Sequence, residues 1–143
     1  MAKIKIELPP NFSFHTTIPI RITDINYGGH VGNDSVLSII HEARMQFLKQ
    51  LGYEELKLDG ASLIMRDVAI DFKKELFYGD QVKVSIKATE FTKVGFELYY
   101  KLEKEAANNT AIVAVAKTGM VCYDYENKKI MAVPENVKRN LSW

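Results

Sequence analysis

Residues 24–34 contain the side chains best suited to chemistry in this 143-residue chain. The segment reads DINYGGHVGND and combines carboxylate, amide and imidazole groups with three glycines. Hydrophobic patterning predicts an apolar strand before it and an amphipathic helix after it. The first turn of a helix carries unpaired backbone N–H groups and a partial positive charge. The segment therefore predicts a site that binds an anion or polarises a carbonyl group.

The elements on either side of this loop follow from hydrophobic periodicity. Residues 14–23 alternate polar and apolar side chains, which predicts a half-buried strand that ends at Asp24. Pro19 cannot donate a backbone hydrogen bond to a neighbouring strand, so we expect this strand at an edge or a bulge of the sheet. Asn33 or Asp34 is expected to cap the helix, and Gly52 to end it. Its apolar stripe consists of Val36, Leu37, Ile40, Ala43, Phe47, Leu48 and Leu51.

Four long strands are predicted after the helix, at residues 61–75, 81–91, 94–103 and 110–125. A turn is expected at residues 108–109, another at 126–129, and a short helix that starts near residue 134. The last strand is apolar on both faces, as expected of a central strand. This order predicts an α+β fold in which a long curved antiparallel sheet wraps around one central helix. One helix cannot cover both faces of the sheet, so we expect a homodimer or a dimer of dimers.

Composition argues against several classes of function. With a formal net charge of +1, the chain has no strong overall potential that would attract nucleic acid or a membrane surface. No apolar run approaches the ~20 residues of a membrane span, and the N-terminus has no signal-peptide core. The lone Cys122 lies in an apolar run and is interpreted as a buried small hydrophobe rather than a reactive thiol. We therefore expect a single domain, residues 1–143, in a reducing cytoplasm.

Three motifs resemble those of a known family. Residues 24–33 match Asp-x-(Asp/Asn)-x-x-Gly-His-Val-x-Asn, the helix carries Glu-Ala-Arg at residues 42–44, and Gly79-Asp80 introduces the next strand. Over residues 12–135 the chain resembles hotdog-fold acyl-CoA thioesterases of the 4-hydroxybenzoyl-CoA thioesterase type. The resemblance implies the hotdog fold and hydrolysis of a thioester, with the active site at a subunit interface. Coenzyme A would enter as part of the substrate, and no separate cofactor is implied.

The chain departs from this family at one position of the loop. The second acidic residue of the family's Asp-x-Asp pattern usually supplies the carboxylate for hydrolysis, and Asn26 occupies that position here. An amide can neither accept a proton nor attack a thioester. The remaining catalytic candidates are His30 as a base near neutral pH, Glu42 as its orienting group or as the base itself, and Asp24. Asn26 could still hold the attacking water through its amide.

Substrate contacts are expected from the same loop. Backbone N–H groups near Asn33, at the start of the helix, are suited to polarising the thioester carbonyl. Gly29, Val31 and Gly32 are expected to contact the substrate, and glycines in such a loop, Gly28 included, allow a positive φ or a close approach of the ligand.

Each catalytic candidate also has a purely structural interpretation. His30 could be an ordinary loop histidine, and Asn26 could bond to its own turn. Glu42 could be solvated or paired on the helix surface, and Asp24 could brace the loop. No metal site is expected, because His41 and Glu42 are adjacent and point to different helix faces, and because no His-x-x-x-His pair exists.

Three functions follow from these alternatives. The first is hydrolysis of an acyl-CoA or acyl carrier protein thioester. The second is non-catalytic binding of acyl thioesters, which the loss of the Asp carboxylate supports. The third is a hotdog hydratase or dehydratase, whose hydratase members carry a loop of the form Asp-x-Asn-Pro-x-His. It ranks last because His30 falls six residues after Asp24 and the proline is absent.

Overall fold

The computed structural model describes residues 4–106 and 109–142. Each predicted long element is present, although several ends differ. Asn108 lies outside the described residues, and Asn109 already belongs to a strand rather than a turn. The predicted turn at 126–129 leads into a two-residue strand that periodicity did not predict. In chain order the elements are β1 (Phe14–Pro19), α1 (Asn33–Gln50), β2 (Ser62–Phe72), β3 (Gln81–Thr89), β4 (Gly95–Ala106), β5 (Asn109–Asp124), β6 (Lys129–Ile130) and α2 (Glu135–Leu141).

The strands form one antiparallel sheet in the order β1-β3-β4-β5-β2, with β6 added beside β5. β1 and β2 are thus the two edge strands of the main sheet, and β5 lies inside it. Pro19 ends β1 opposite Gln81, so the prediction that this strand lies at an edge is confirmed. The predicted α+β class is also confirmed.

Helix α1 packs one side against β1 and β3. The ring of Phe47 on the helix meets that of Phe14 on β1 at 5.5 Å between centroids, edge to face. Most of the predicted apolar stripe is buried, but Leu37 and Leu51 are only half-buried. In the part of the chain that the structure describes, no helix is long and apolar enough to span a membrane. The buried face of α1 consists of Val36, Ile39, Ile40, Ala43, Arg44, Phe47 and Leu48.

Strand β5 is buried on both faces, as predicted. The N-terminal arm, residues 4–13, helps to explain why. Residues 5–7 lie beside Tyr99 and Lys117, which belong to β4 and β5. The ammonium group of Lys101 lies 5.2 Å from the ring centroid of Phe12, also in the arm. The arm therefore covers part of the sheet face opposite α1.

Two predicted boundaries next to the loop are wrong. β1 ends at Pro19 instead of residue 23, because the Asp24 carboxylate accepts the Arg21 backbone N–H at 2.8 Å and draws residues 22–24 into a 3-10 turn. The helix is not capped by Asn33 or Asp34, which are its first two residues. Extended Gly32 precedes it, and the Gly32 carbonyl accepts the Val36 N–H at 3.1 Å.

Candidate active site

The loop before α1 closes on itself through backbone hydrogen bonds. The Asn26 N–H donates to the His30 carbonyl at 2.9 Å, and the Gly29 N–H donates to the Asn26 carbonyl at 3.1 Å. Gly29 has a φ of +86°, which only glycine adopts without strain. Gly28 and Gly32 do not have a positive φ, so among the three glycines of this loop only Gly29 is required by its backbone conformation.

Asp24 braces this loop from inside. Its side chain is buried, and its carboxylate is paired with Arg21, whose Nη2 lies 3.3 Å from Oδ1. Its backbone carbonyl accepts the Gly32 N–H at 3.2 Å, which ties the beginning of the loop to its end. These contacts favour the structural interpretation of Asp24 over a catalytic one.

Asn26 forms the turn that its structural interpretation requires. Its Oδ1 accepts the Gly28 N–H at 2.9 Å, an Asx turn. The Nδ2 group lies 3.7 Å from the position that a Cβ on Gly32 would take, next to the start of the helix. This Nδ2 group is a donor that could orient a water molecule or a substrate oxygen.

His30 lies at the mouth of a cavity with one ring nitrogen engaged. Its Nδ1 is 3.1 Å from the carbonyl oxygen of Val31 and can donate a hydrogen bond to it. A neutral ring in this tautomer leaves the Nε2 lone pair free to accept a proton. The structure thus orients His30 as a general base requires.

The cavity beside His30 has a volume of about 200 Å³ and lies between the loop, the start of α1 and the ends of β2 and β5. Its apolar lining could hold an acyl group, and its polar lining residues are His30, Asn33, Lys73, Lys74 and Glu75. The residues that line it are His30, Val31, Asn33, Val36, Phe72, Lys73, Lys74, Glu75, Leu76, Val113 and Ala114. Of the predicted substrate contacts, Val31 and Asn33 line the cavity with His30, whereas Gly29 and Gly32 are not among the lining residues.

Asn33, the first residue of α1, lines this cavity. Val36 is the first helix residue whose backbone N–H donates a hydrogen bond, to the carbonyl of Gly32. Among the described residues, no acceptor is found for the N–H groups of Asn33, Asp34 and Ser35. Donors of this kind, at the positive end of a helix, stabilise the negative charge that develops on a carbonyl oxygen during acyl transfer.

Glu42 is not part of this cavity within one chain. Its Oε2 accepts a hydrogen bond from Gln46 at 2.8 Å, and it lies with Ser38, His41 and Met45 along the exposed side of α1. The predicted contact in which Glu42 orients His30 is therefore not formed inside the described chain.

Glu75 is a titratable lining residue that the sequence does not single out. Its Oε1 lies 3.9 Å from His30 Nε2, and it follows the end of β2. No motif or periodicity marks residue 75, because its place depends on how β2 pairs with β5.

A buried polar chain connects α1 to the sheet on the other side of the core. The Arg44 guanidinium donates to Glu55 from Nε and to the Tyr100 hydroxyl from Nη1, both at 3.2 Å. Tyr100 shares a further hydrogen bond with Thr118 at 2.8 Å, and burial raises the pKa of its hydroxyl. His41 contacts the other oxygen of Glu55 at 2.7 Å.

Cys122 is buried, and burial raises the pKa of its thiol to about 11. This agrees with its interpretation as a small hydrophobe. Within residues 4–106 and 109–142, no three side chains of the His, Cys, Asp and Glu types gather in a way that could hold a metal ion.

Comparison with known proteins identifies the relatives of this chain. The family model of the thioesterase-like superfamily matches residues 20–141. A 1,4-dihydroxy-2-naphthoyl-CoA hydrolase from Microcystis aeruginosa is 29% identical over 127 residues, which cover 87% of this chain and 89% of the relative. The crystal structure of a 1,4-dihydroxy-2-naphthoyl-CoA thioesterase from Synechocystis has a TM-score of 0.80 at 21% identity, covering 90% of this chain and 94% of that one. A 4-hydroxybenzoyl-CoA thioesterase mutant complexed with 4-hydroxybenzoyl-CoA has a TM-score of 0.81 at 15% identity, with 90% and 98% covered.

Proposed function

The chain belongs to the thioesterase-like superfamily and has the hotdog fold, and from this premise we propose that it hydrolyses acyl-CoA thioesters to a free acid and coenzyme A. One observation carries the proposal. His30, with its Nε2 available, and Asn33, whose N–H has no acceptor among the described residues, line the same small cavity. Coenzyme A enters as part of the substrate, so the reaction needs only water besides it.

The proposed reaction assigns each group a separate task. The thioester oxygen accepts hydrogen bonds from the N–H groups at the start of α1, beginning with that of Asn33. His30 Nε2 removes a proton from the attacking water as the new C–O bond forms. When the C–S bond breaks, the imidazolium returns this proton to the departing thiolate.

The acyl group is proposed to be compact and aromatic. A volume of about 200 Å³ suits a ring system better than a long acyl chain. Five of the eleven lining residues are aliphatic, and Phe72, which also lines the cavity, can stack on a ring. The relative from Microcystis aeruginosa is named for a naphthoyl-CoA substrate, which supports an aryl acid and a coenzyme A carrier over an acyl carrier protein.

We place the active site beside an interface between two copies of the chain. β2 is an edge strand with one unpaired side, and it exposes Met65, Val68 and Phe72. An exposed apolar edge strand is a ready surface for pairing with a second strand. Because Phe72 also lines the cavity, a partner strand at this edge would lie next to the bound acyl group.

A non-catalytic role as an acyl-thioester-binding protein is the second candidate. Asn26 supports it, since an amide stands where the family usually has its carboxylate and the amide oxygen is occupied by Gly28. A binding protein would retain the cavity and the helix N–H groups without turnover.

The deciding experiment measures thiol release from a panel of CoA thioesters, from acetyl to palmitoyl and including benzoyl and hydroxynaphthoyl types, with an acyl carrier protein thioester for comparison. We expect the aryl thioesters to be the fastest, and we expect His30→Ala to lower turnover by at least ~100-fold while the melting temperature and assembly stay the same.

Each alternative predicts a different result in the same panel. No thiol release together with a melting shift on adding acyl-CoA would support the binding protein and contradict the hydrolase. Loss of the enoyl absorbance of crotonyl-CoA would indicate a hydratase. Undiminished turnover in His30→Ala would remove His30 from the mechanism.

A further inference from the structure

A histidine that activates water usually works with a carboxylate. Position 26 provides an amide, so a carboxylate that assists His30 would have to come from another position. The carboxylate of Asp24 is buried and paired with Arg21. That of Glu42 is bonded to Gln46 on a different side of α1. Neither lies at the cavity that His30 adjoins.

Glu75 does lie at this cavity, and it is the one carboxylate among the described residues that line it. Its Oε1 is 3.9 Å from His30 Nε2. This distance is too long for a direct hydrogen bond, but it suits two acceptors that share a single water molecule. The two side chains could therefore hold one water molecule between them.

The backbone around Glu75 is held on both sides. The N–H groups of Lys73 and Lys74 both donate to the Val113 carbonyl, at 2.9 and 3.1 Å. The Leu76 carbonyl accepts the Val31 N–H at 2.8 Å, which joins this segment directly to the residue after His30. The Glu75 carbonyl itself accepts a hydrogen bond from Lys104 Nζ at 3.0 Å. Any movement of the His30 loop therefore carries the Glu75 segment with it.

From this geometry we infer that Glu75 is a catalytic carboxylate that holds the attacking water together with His30, in place of the carboxylate that Asn26 lacks. The inference rests on the proposed hydrolysis. Glu75 accepts a hydrogen bond from one O–H of the water, and His30 Nε2 accepts the proton of the other O–H as it breaks. The water oxygen forms the bond to the thioester carbon. The C–S bond then breaks, and the His30 proton passes to the thiolate.

The first test is Glu75→Gln, which keeps the size of the side chain and removes its charge. We expect kcat on the best CoA thioester to fall about 100-fold, with KM changed less than threefold, since the carboxylate touches the water and not the substrate. Glu75→Asp keeps a carboxylate and should retain clearly more activity than Glu75→Gln. The matched control is Glu126→Gln, an exposed glutamate in the turn after β5, which should match the wild type.

A second test asks whether the two residues act on the same water. If they do, His30→Gln combined with Glu75→Gln should be no slower than the slower single variant, because each change already removes the held water. Losses that multiply would show that Glu75 acts separately from His30 and would overturn the inference.

The remaining outcomes separate this inference from the function on which it rests. An active wild type beside a Glu75→Gln variant whose kcat is within twofold of it would overturn the role of Glu75 alone. A change confined to KM would make Glu75 a substrate-binding residue and would overturn it too. A wild type that releases no thiol from any CoA thioester would overturn the proposed function and the inference together.

Discussion

The side chain at position 26 determines the chemistry of the loop but not its shape. Asn26 folds the turn by accepting the Gly28 N–H on Oδ1, and a carboxylate oxygen can accept the same bond. The family's aspartate would therefore fit the same backbone. The amide changes which groups can take a proton, and so the proposed reaction depends on His30 and on a carboxylate elsewhere.

This reasoning gives a direct prediction for Asn26→Asp. The Asx turn should persist, and the new carboxylate should act as an additional base next to His30, so we expect kcat to rise roughly tenfold. Thiol release at saturating CoA thioester measures the effect, with Asn11→Asp, exposed in the arm, as a control for added charge. A fall below wild-type activity would instead show that the amide itself performs a step.

Sequence reasoning points to the residues of the loop but not to Glu75. His30, Val31 and Asn33 are close in the chain, so one motif reports them together. Glu75 reaches His30 only after β2 has paired with β5 and the following segment has bonded to Val113 and Val31. A contact that depends on the register of distant strands leaves no local pattern in the sequence.

Among the elements, α1 is tied to the sheet by polar contacts as well as apolar ones. Arg44 lies on its buried face and is almost completely covered. Such a charge is tolerated only with hydrogen-bonding partners, here Glu55 and Tyr100. Glu55 also bonds to His41 on the same helix. Glu55 therefore links the segment between α1 and β2 to two residues of the helix, His41 and Arg44.

Removing the negative charge of Glu55 should destabilise the fold. We expect Glu55→Gln to lower the free energy of unfolding by about 2 kcal/mol, because Arg44 would stay buried without a countercharge. Urea denaturation followed by circular dichroism measures the change. The neighbouring Glu54→Gln is the matched control, since Glu54 is exposed and should shift stability by less than about 0.5 kcal/mol. Equal stabilities for the two variants would contradict this account.

Periodicity predicted the elements well where burial sets the pattern and poorly where a single hydrogen bond does. The stripe of α1 and the alternation of β3 and β4 reflect which side faces the core. The early end of β1 depends on one carboxylate–backbone contact of Asp24. Arg44 was not recognised as buried, because a charged residue on a helix normally indicates a solvated face.

On the scale of the whole molecule, the edge strand β2 exposes apolar side chains that another surface could cover. Val68 and Phe72 are 39% and 44% exposed on β2, and the unpaired side of this strand can accept a second strand. The surplus of apolar surface was predicted from the sequence, since one helix cannot cover a sheet of this length. The edge that carries it could not be predicted, because strand order is set by pairing partners rather than by composition.

Placing a charge on this edge should separate the subunits. In a symmetric pair of β2 strands, Val68→Lys brings two ammonium groups close to the same twofold axis and should leave a monomer. Light scattering after size exclusion measures the mass. The matched control is Ile130→Lys on β6, where an isoleucine that is 56% exposed lies away from β2. A monomeric wild type, or a Val68→Lys protein that remains dimeric, would contradict pairing at this edge.

Phe72 lies both on the exposed edge strand β2 and at the cavity. In a dimer that pairs at this edge, it would link the pairing of two copies to the binding of the thioester. If the paired form binds the thioester more tightly, thermodynamic reciprocity requires the thioester to strengthen pairing by the same factor. Specific activity should then decline as the protein is diluted through its dissociation constant, and saturating substrate should restore it. The concentration of the chain itself would then act as a control on turnover.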